Sequence, residues 1–173
     1  MINLSNVLER SKINTDISKH LIRLYELTIA LPKNKIVVEL GIRGGESTTA
    51  LLAAVNDSGG KLYSIDIQNC NIYPKEVNWK FIRGDDMEVV KTWNLKIDHL
   101  FIDTSHTYEH TLAELRSWGS FVQPWGIITL HDTDHTNTCP GVLKAIEQFL
   151  IENPEYNFKN DPECYGLGLL QRK

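Results

Sequence analysis

The chain has 173 residues, of which 42% are hydrophobic and 23% charged, and its formal net charge is -4 at pH 7. These values are typical of one soluble globular domain, and the acidic balance argues against general binding to nucleic acid or to an anionic membrane. No apolar run is long enough to span a bilayer, and polar residues interrupt the first ten positions, where a signal peptide would have its apolar core. The three cysteines lack metal-binding or redox spacing, so we expect a reduced, cytoplasmic setting.

The first 31 residues predict amphipathic helix, because apolar residues recur near helical spacing from Ile17 to Ile29 and Leu31-Pro32 closes the segment. This segment precedes the first predicted strand, so it either covers an edge of the sheet or forms a lid. We therefore divide a single domain into an N-terminal helical cap or lid (1–34) and a core (35–173).

Residues 35–47 predict a buried strand, a glycine-rich turn and the start of a helix. The β-branched run Ile36–Val38 has no polar alternation, which indicates a strand buried on both faces. Glycines in the segment Gly41–Gly45 let the backbone pass close to a ligand, and the N-terminus of the following helix, Ser47–Val55, favours an anionic group. A tight turn without a ligand is the alternative.

The rest of the chain alternates between predicted strands and helices, which indicates an α/β domain with a mostly parallel sheet. The further strands are Lys61–Ile67, Trp79–Asp86, Ile97–Asp103 and Ile127–Leu130, and helices run to Trp118 and from Pro140 to about Glu152. Gln68–Asn78 has no clear period, and Pro124–Gly126 predicts a turn before the fifth strand. Tyr156–Lys159 and Gly166–Leu170 predict a terminal antiparallel pair.

Acidic or imidazole residues follow five consecutive predicted strands. They are Glu39, Asp66, Asp85, Asp103 and the pair His131-Asp132. Ligands of open α/β sheets bind at the carboxyl ends of the strands, so we expect the functional site at this edge.

Two of these acids indicate an adenosine-containing cofactor. Asp66 lies about one βαβ step after the glycine turn, where an acid can accept hydrogen bonds from both hydroxyls of a ribose, although it can also serve as a cap or turn former. Asp85 can accept a hydrogen bond from an adenine amino group or cap the next helix. This pattern alone does not separate a nicotinamide dinucleotide from S-adenosylmethionine.

Several segments together resemble successive motifs of class I S-adenosylmethionine-dependent methyltransferases. The segments are Val38–Ser47, Tyr63–Asp66, Gly84-Asp85, Phe101–Glu109 and Ile127–Thr133. The group that the chain resembles is the small-molecule O-methyltransferases related to cephalosporin hydroxylase-like and macrolide-sugar methyltransferases, and the likeness runs from about Lys35 to Phe149. It implies a Rossmann-like seven-stranded sheet, mostly parallel with a terminal antiparallel strand, with helices on both faces.

The resemblance also implies roles for single residues. The implied cofactor-binding residues are Glu39, Gly41, Arg43, Gly45, Ser47, Asp66, Asp85 and Asp103. Asp103, His131 and Asp132 would hold a divalent metal, magnesium or manganese, and Asp103 would also lie beside the transferring methyl group. His106 corresponds to a general base. A metal lowers the pKa of the accepting hydroxyl, and an imidazole can then remove its proton.

Two departures from the family pattern leave alternatives open. Metal-dependent relatives often carry an acid where this chain has His131, and imidazole suits transition metals better than magnesium, so a different ion or none is the alternative. Pro124–Gly126 replaces the usual Pro-Gly-Gly turn.

Asp134 and His135 can substitute as ligands or be solvated loop residues. The remaining histidines, which we expect to be packing or surface residues, are His20, His99 and His110.

The sequence therefore predicts transfer of a methyl group to a hydroxyl of a small molecule, with a sugar as the first expectation. Acceptor specificity would come from residues 1–34, 68–78 and 133–138. The aromatic candidates for lining the pocket are Tyr73, Tyr108 and Trp125. The alternatives are a non-catalytic cofactor-binding or interaction protein with this fold, and a nicotinamide-dependent oxidoreductase. We expect no nucleic-acid or membrane partner, and a homo-oligomer is left open.

Overall fold

A seven-stranded sheet with the order β3-β2-β1-β4-β5-β7-β6 organises the computed structural model, which describes residues 1–134 and 139–173. The strands are β1 (Lys35–Leu40), β2 (Gly60–Asp66), β3 (Trp79–Arg83), β4 (Ile97–Ile102), β5 (Val122–His131), β6 (Tyr156–Asp161) and β7 (Leu167–Arg172). Strands β1 to β5 are parallel, and β7 runs antiparallel between β5 and β6. The predicted fold and its terminal antiparallel pair are confirmed.

Six α-helices connect or flank these strands in the described residues. They are α1 (Leu4–Arg10), α2 (Leu21–Ile29), α3 (Glu46–Ser58), α4 (Asp86–Val89), α5 (Tyr108–Gly119) and α6 (Pro140–Glu152). The bounds of α6 are those predicted from the sequence. Among the described helices, none has the length and apolar character that a membrane crossing requires.

Apolar residues of β1 face both ways, which explains why its sequence shows no alternation. Val37 packs with Leu21 and Leu51 in the layer formed by α1, α2 and α3, whereas Val38 packs with Trp118 in the layer formed by α5 and α6. All five side chains are fully buried. The sheet is therefore covered on both faces, and its carboxyl edge stays open for a site.

The N-terminal segment does not form the continuous helix that the apolar period predicted. Polar residues at 14–16 interrupt that period, and a loop at 11–17 and a short 3₁₀ turn at Ser18–His20 separate α1 from α2. Val7 of α1 and Leu24 of α2 are fully buried in one cluster with α3. The segment is therefore part of the core over one face of the sheet and does not cover a sheet edge.

The predicted turn at Pro124–Gly126 is wrong, because these residues lie inside β5. Ile97 of β4 pairs with Val122, and His99, two residues later, pairs with Ile127. The extra residues of β5 therefore bulge out of a strand that pairs with β4 on both sides of them. The bulge places the indole of Trp125 in solvent, where its Nε1–H donates to Asp98 at 3.2 Å.

Candidate active site

A cavity of about 430 Å³ opens at the carboxyl edge of the sheet. Four strand ends meet there, and the chain crosses from one half of the sheet to the other between β1 and β4. The cavity wall includes Ile17, the turn Gly41–Arg43, the segments Asp66–Gln68, Gly84–Asp86 and Asp103–His106, and the side chains of Glu46, Ser47 and His110. The predicted edge is therefore the place where this cavity forms.

Gly41 begins the turn after β1, and both its backbone conformation and its close contact with the chain at Asp103 require glycine. Its φ is +86°, and a Cβ atom there would lie 2.0 Å from the carbonyl oxygen of Asp103. Gly45 has φ +81°, and a Cβ atom there would lie 2.0 Å from the side chain of Ile72. Gly41 borders the cavity, whereas Gly45 caps α3 outside its wall.

Glu39 lies beneath the turn and holds it in place. Its carboxylate is fully buried and accepts hydrogen bonds from the hydroxyls of Ser47 at 2.7 Å, Thr48 at 2.9 Å and Ser64. Burial raises the pKa of Glu39 to about 7 against the opposing effect of these hydroxyl donors. The structure therefore places Glu39 behind the cavity wall, and Ser47 links it to the wall.

Asp66 connects the end of β2 to the glycine turn. Its Oδ2 accepts hydrogen bonds from the backbone N–H of Ile42 at 2.9 Å and of Arg43 at 3.4 Å, and its Oδ1 accepts one from Gln68 at 2.8 Å. The carboxylate also borders the cavity. It is therefore in the predicted place for a ribose-binding acid, and it is a turn former as well.

Asp85 caps the short helix α4. It accepts a hydrogen bond from the backbone N–H of Met87 at 2.8 Å, and it also lies in the cavity wall. The capping alternative is confirmed, and contact with an adenine amino group stays a prediction.

Arg43 joins the turn to the N-terminal segment. Its backbone is left-handed (φ +49°), and its guanidinium forms a bidentate ion pair with Asp16 in the loop at 11–17. No motif marks Asp16 in the sequence, so this contact could not be predicted from the sequence.

His106 contacts two carboxylates at the end of the cavity beside β4 and β5. Its Nε2 lies 3.0 Å from Asp103 Oδ1 and 3.1 Å from Asp132 Oδ2. The hydrogen bond to Asp103 raises the pKa of His106 above its ordinary value, although burial opposes the shift. His106 and Asp132 both have positive φ, +58° and +59°, a strained conformation that is common at functional sites.

His131 lies behind these carboxylates and is 2% exposed. Its Nε2 lies 3.1 and 3.0 Å from the backbone carbonyl oxygens of Asp16 and Cys164, so it carries a proton and donates. Its Nδ1 lies 3.1 Å from Asp132 and 3.7 Å from Asp103. Burial alone would lower the pKa of His131, but these two carboxylates outweigh it and raise the pKa to about 10. The imidazolium therefore offsets their negative charge.

The predicted metal ligands come together. One ligand atom from each of Asp103, His131 and Asp132 can be chosen so that all lie within 4.8 Å of one another. Carbonyl acceptors fix the Nε2 side of the His131 ring and leave Nδ1 facing the carboxylates, which is the usual arrangement around a metal-ligating histidine. Cys139 also lies within this distance of His106 and Asp132, which the wide cysteine spacing did not reveal. The residues present therefore fit a divalent ion.

Other predicted residues lie elsewhere. The aromatic candidates Tyr73, Tyr108 and Trp125 are absent from the cavity wall. Asp134 is exposed and belongs to no described ligand cluster, and His135 lies outside the described residues, as do the other positions of 135–138. His20 and His99 are buried, as expected of packing residues. His110 instead lines the cavity, in contact with Asp86 and Glu114.

A family model described as a methyltransferase domain matches residues 38–133, more than half of the chain. The chain belongs to this methyltransferase family. The match runs from β1 through the glycine turn to the end of β5, and so includes the Asp103, His106 and Asp132 constellation. Because the family and the fold agree, the chain is an S-adenosylmethionine-dependent methyltransferase. The alternative of a nicotinamide-dependent oxidoreductase is therefore excluded.

Solved structures of methyltransferases share the fold at low sequence identity. The SAH-bound methyltransferase PaMTH1 of Podospora anserina is 16% identical with a TM-score of 0.70, over 96% of this chain and 87% of that chain. MycE, of the mycinamycin biosynthetic pathway, in complex with Mg, SAH and mycinamycin VI, is 18% identical with a TM-score of 0.72, over 98% of this chain and 54% of that chain. CalS11, a TDP-rhamnose 3'-O-methyltransferase of calicheamicin biosynthesis, is 15% identical with a TM-score of 0.68, over 97% of this chain and 79% of that chain.

Proposed function

We propose that this methyltransferase transfers the methyl group of S-adenosylmethionine to a hydroxyl of a small molecule, a sugar hydroxyl in the first instance, with the help of a divalent metal. The observation that carries the proposal is the contact of His106 with both Asp103 and Asp132 at one end of the cavity. Two structural neighbours agree with it, since MycE was solved in complex with Mg and CalS11 is a TDP-rhamnose 3'-O-methyltransferase.

The cofactor end of the cavity would be the side lined by the glycine turn, Asp66 and Asp85. The volume of the whole cavity, about 430 Å³, lies in the range of small-molecule sites, about 300–1,000 Å³. The Asp66 carboxylate would accept a hydrogen bond from ribose, and Asp85 would accept one from the adenine amino group. S-adenosylmethionine supplies an electrophilic methyl on sulfur, so the protein needs to place it in line with the acceptor oxygen.

Asp103, Asp132 and His131 Nδ1 would hold the metal, and His131 would lose its Nδ1 proton when the ion binds. When bound, a divalent ion supplies Lewis-acid polarisation and orientation of the acceptor hydroxyl. Carboxylate oxygens suit magnesium or manganese, and the single imidazole also admits a transition metal.

His106 would take the proton at Nδ1, because its Nε2 already donates a hydrogen to the carboxylates of Asp103 and Asp132. The acceptor oxygen forms its bond to the methyl carbon as the carbon–sulfur bond breaks, and the hydroxyl proton passes to the imidazole. Asp103 and Asp132 then stabilise the imidazolium through the contacts that already raise the pKa of His106. The same contacts require a higher pH before the ring is neutral and able to act as a base.

Two measurements test the proposal in sequence. Calorimetry with S-adenosylmethionine, S-adenosylhomocysteine and NAD should show binding of the first two only; no binding to either would favour the non-catalytic alternative. Methyl transfer from labelled S-adenosylmethionine to a panel of free sugars and nucleotide sugars should then stop with EDTA and return with Mg²⁺ or Mn²⁺. Full turnover in EDTA would exclude a metal from the reaction, and the buried His131 imidazolium would then offset the charge of the two carboxylates.

A further inference from the structure

A second group of ionisable side chains lies at the wall of the same cavity, which includes Asp86 and His110. Asp86 is the first residue of α4, and His110 and Glu114 are one turn apart on α5, so their side chains share a face of that helix. One ligand atom from each can be chosen so that the three lie within 4.8 Å of one another. None of the three belongs to the methyl-transfer machinery described above.

The distances within this group differ from those of a charge-assisted hydrogen bond. His110 Nε2 lies 3.3 Å from Asp86 Oδ1 and 3.5 Å from Glu114 Oε1. Imidazolium–carboxylate hydrogen bonds are about 2.7–2.9 Å long. Ligand atoms at about 2.1 Å from a tetrahedral zinc ion are about 3.4 Å apart. These two separations are therefore close to the edges of a zinc coordination shell.

Burial adds an independent observation. Glu114 is fully buried and Asp86 is 7% exposed, yet among the described residues neither Asp86 Oδ2 nor Glu114 Oε2 has a hydrogen-bond partner. The other oxygen of Glu114 accepts a hydrogen bond from the Thr104 hydroxyl at 2.8 Å, which fixes the carboxylate. Two buried carboxylate oxygens without a donor are costly unless a cation or a proton satisfies them.

We propose that Asp86, His110 and Glu114 bind a divalent transition metal ion of the zinc class, with its open coordination position facing the cavity. One neutral imidazole and two carboxylates suit zinc or cobalt better than magnesium, and the two carboxylates cancel the charge of the ion. Asp86 and His110 both border the cavity, so an ion can enter from it. Without an ion, a protonated His110 beside the two carboxylates would provide the positive charge.

The test separates this site from the one proposed for catalysis. Equilibrium dialysis with Co²⁺ is carried out on the full chain carrying Asp132→Asn, which disables the first site. We expect one bound equivalent with the intense visible absorption of four-coordinate cobalt. Adding His110→Ala should remove both the equivalent and the absorption. Retention of the bound cobalt in the double variant would mean that the ion binds elsewhere. No binding to the Asp132→Asn chain would indicate that the two carboxylates share a proton. Either result would overturn the proposal.

A second measurement guards against a variant that fails to fold. Zn²⁺ should raise the melting temperature of the Asp132→Asn chain, and the rise should vanish in the more conservative Asp132→Asn/His110→Gln chain. An equal rise in both would place the zinc elsewhere. The result does not depend on any methyl acceptor, so failure of the proposed function and failure of this site are distinguishable.

Discussion

Replacing Asp66 by asparagine should weaken the binding of S-adenosylhomocysteine about tenfold to a hundredfold. A carboxylate offers about four acceptor positions, and three are used by the N–H groups of Ile42, Arg43 and Gln68. One position is left on Oδ1, so the structure allows one ribose hydroxyl where the sequence suggested two. A hydrogen bond to a charged group contributes about 1.5–3 kcal/mol, and about 1.4 kcal/mol is a factor of ten.

Asparagine is chosen because its amide keeps the shape of the side chain. Its oxygen can still accept from Ile42 in the turn, while its NH₂ group replaces the oxygen that faces Gln68 and the ribose. Alanine would remove the support of the turn as well, so its effect on the dissociation constant could not be assigned to ribose.

Calorimetry with two ligands isolates the ribose contact. The variant should bind S-adenosylhomocysteine more weakly, but it should bind the 2',3'-dideoxy analogue about as well as the wild type does. Asp85→Asn, which removes a charge from the same wall, serves as the matched control and should weaken both ligands alike. An equal loss for both ligands in Asp66→Asn would mean that Asp66 acts only through the turn, and an unchanged affinity would refute the reasoning altogether.

Three further outcomes follow from the same geometry. His106→Ala should lower turnover by about a hundredfold to ten-thousandfold with little change in S-adenosylmethionine affinity. The wild-type rate should rise with pH through a midpoint above about 6.5, an inflection that the variant loses. Burial lowers the pKa of His99 to about 3. As the pH falls from about 6.5 towards 3, the unfolded chain therefore binds a proton at His99 that the folded chain does not, and the free energy of unfolding decreases. Urea unfolding should therefore show the wild type losing about 3 kcal/mol more than His99→Gln between pH 7 and pH 4. Glu39→Ala leaves three hydroxyl donors without their acceptor and should lower the free energy of unfolding by at least about 3 kcal/mol in the same assay. Glu39→Gln should lower it less.

The sequence predicted the sheet and its functional edge because those features follow from local patterns. The apolar run at Ile36–Val38 has one physical explanation, burial on both faces, and acids at consecutive strand ends meet because parallel strands share an edge. The contact between His106 and Asp103 follows from their spacing of three residues beyond one strand end.

What the sequence did not predict depends on contacts between distant elements. Asp86, His110 and Glu114 meet only because α4 packs near the first turns of α5, and the i, i+4 spacing of His110 and Glu114 was the one available signal. The bulge in β5 follows from its register against β4, which no local pattern specifies. Asp16 reaches Arg43 across a loop whose path is set by the packing of α1 and α2 on α3.

The close approach of Gly41 to Asp103 has a kinetic consequence. The turn and the end of β4 lie so near each other that even a methyl group does not fit between them. A ligand that settles against the turn therefore also sets the position of Asp103, and Asp103 in turn orients His106. We expect ordered binding in which the methyl donor enters first, and an acceptor that arrives early should find its reactive end of the cavity incompletely aligned.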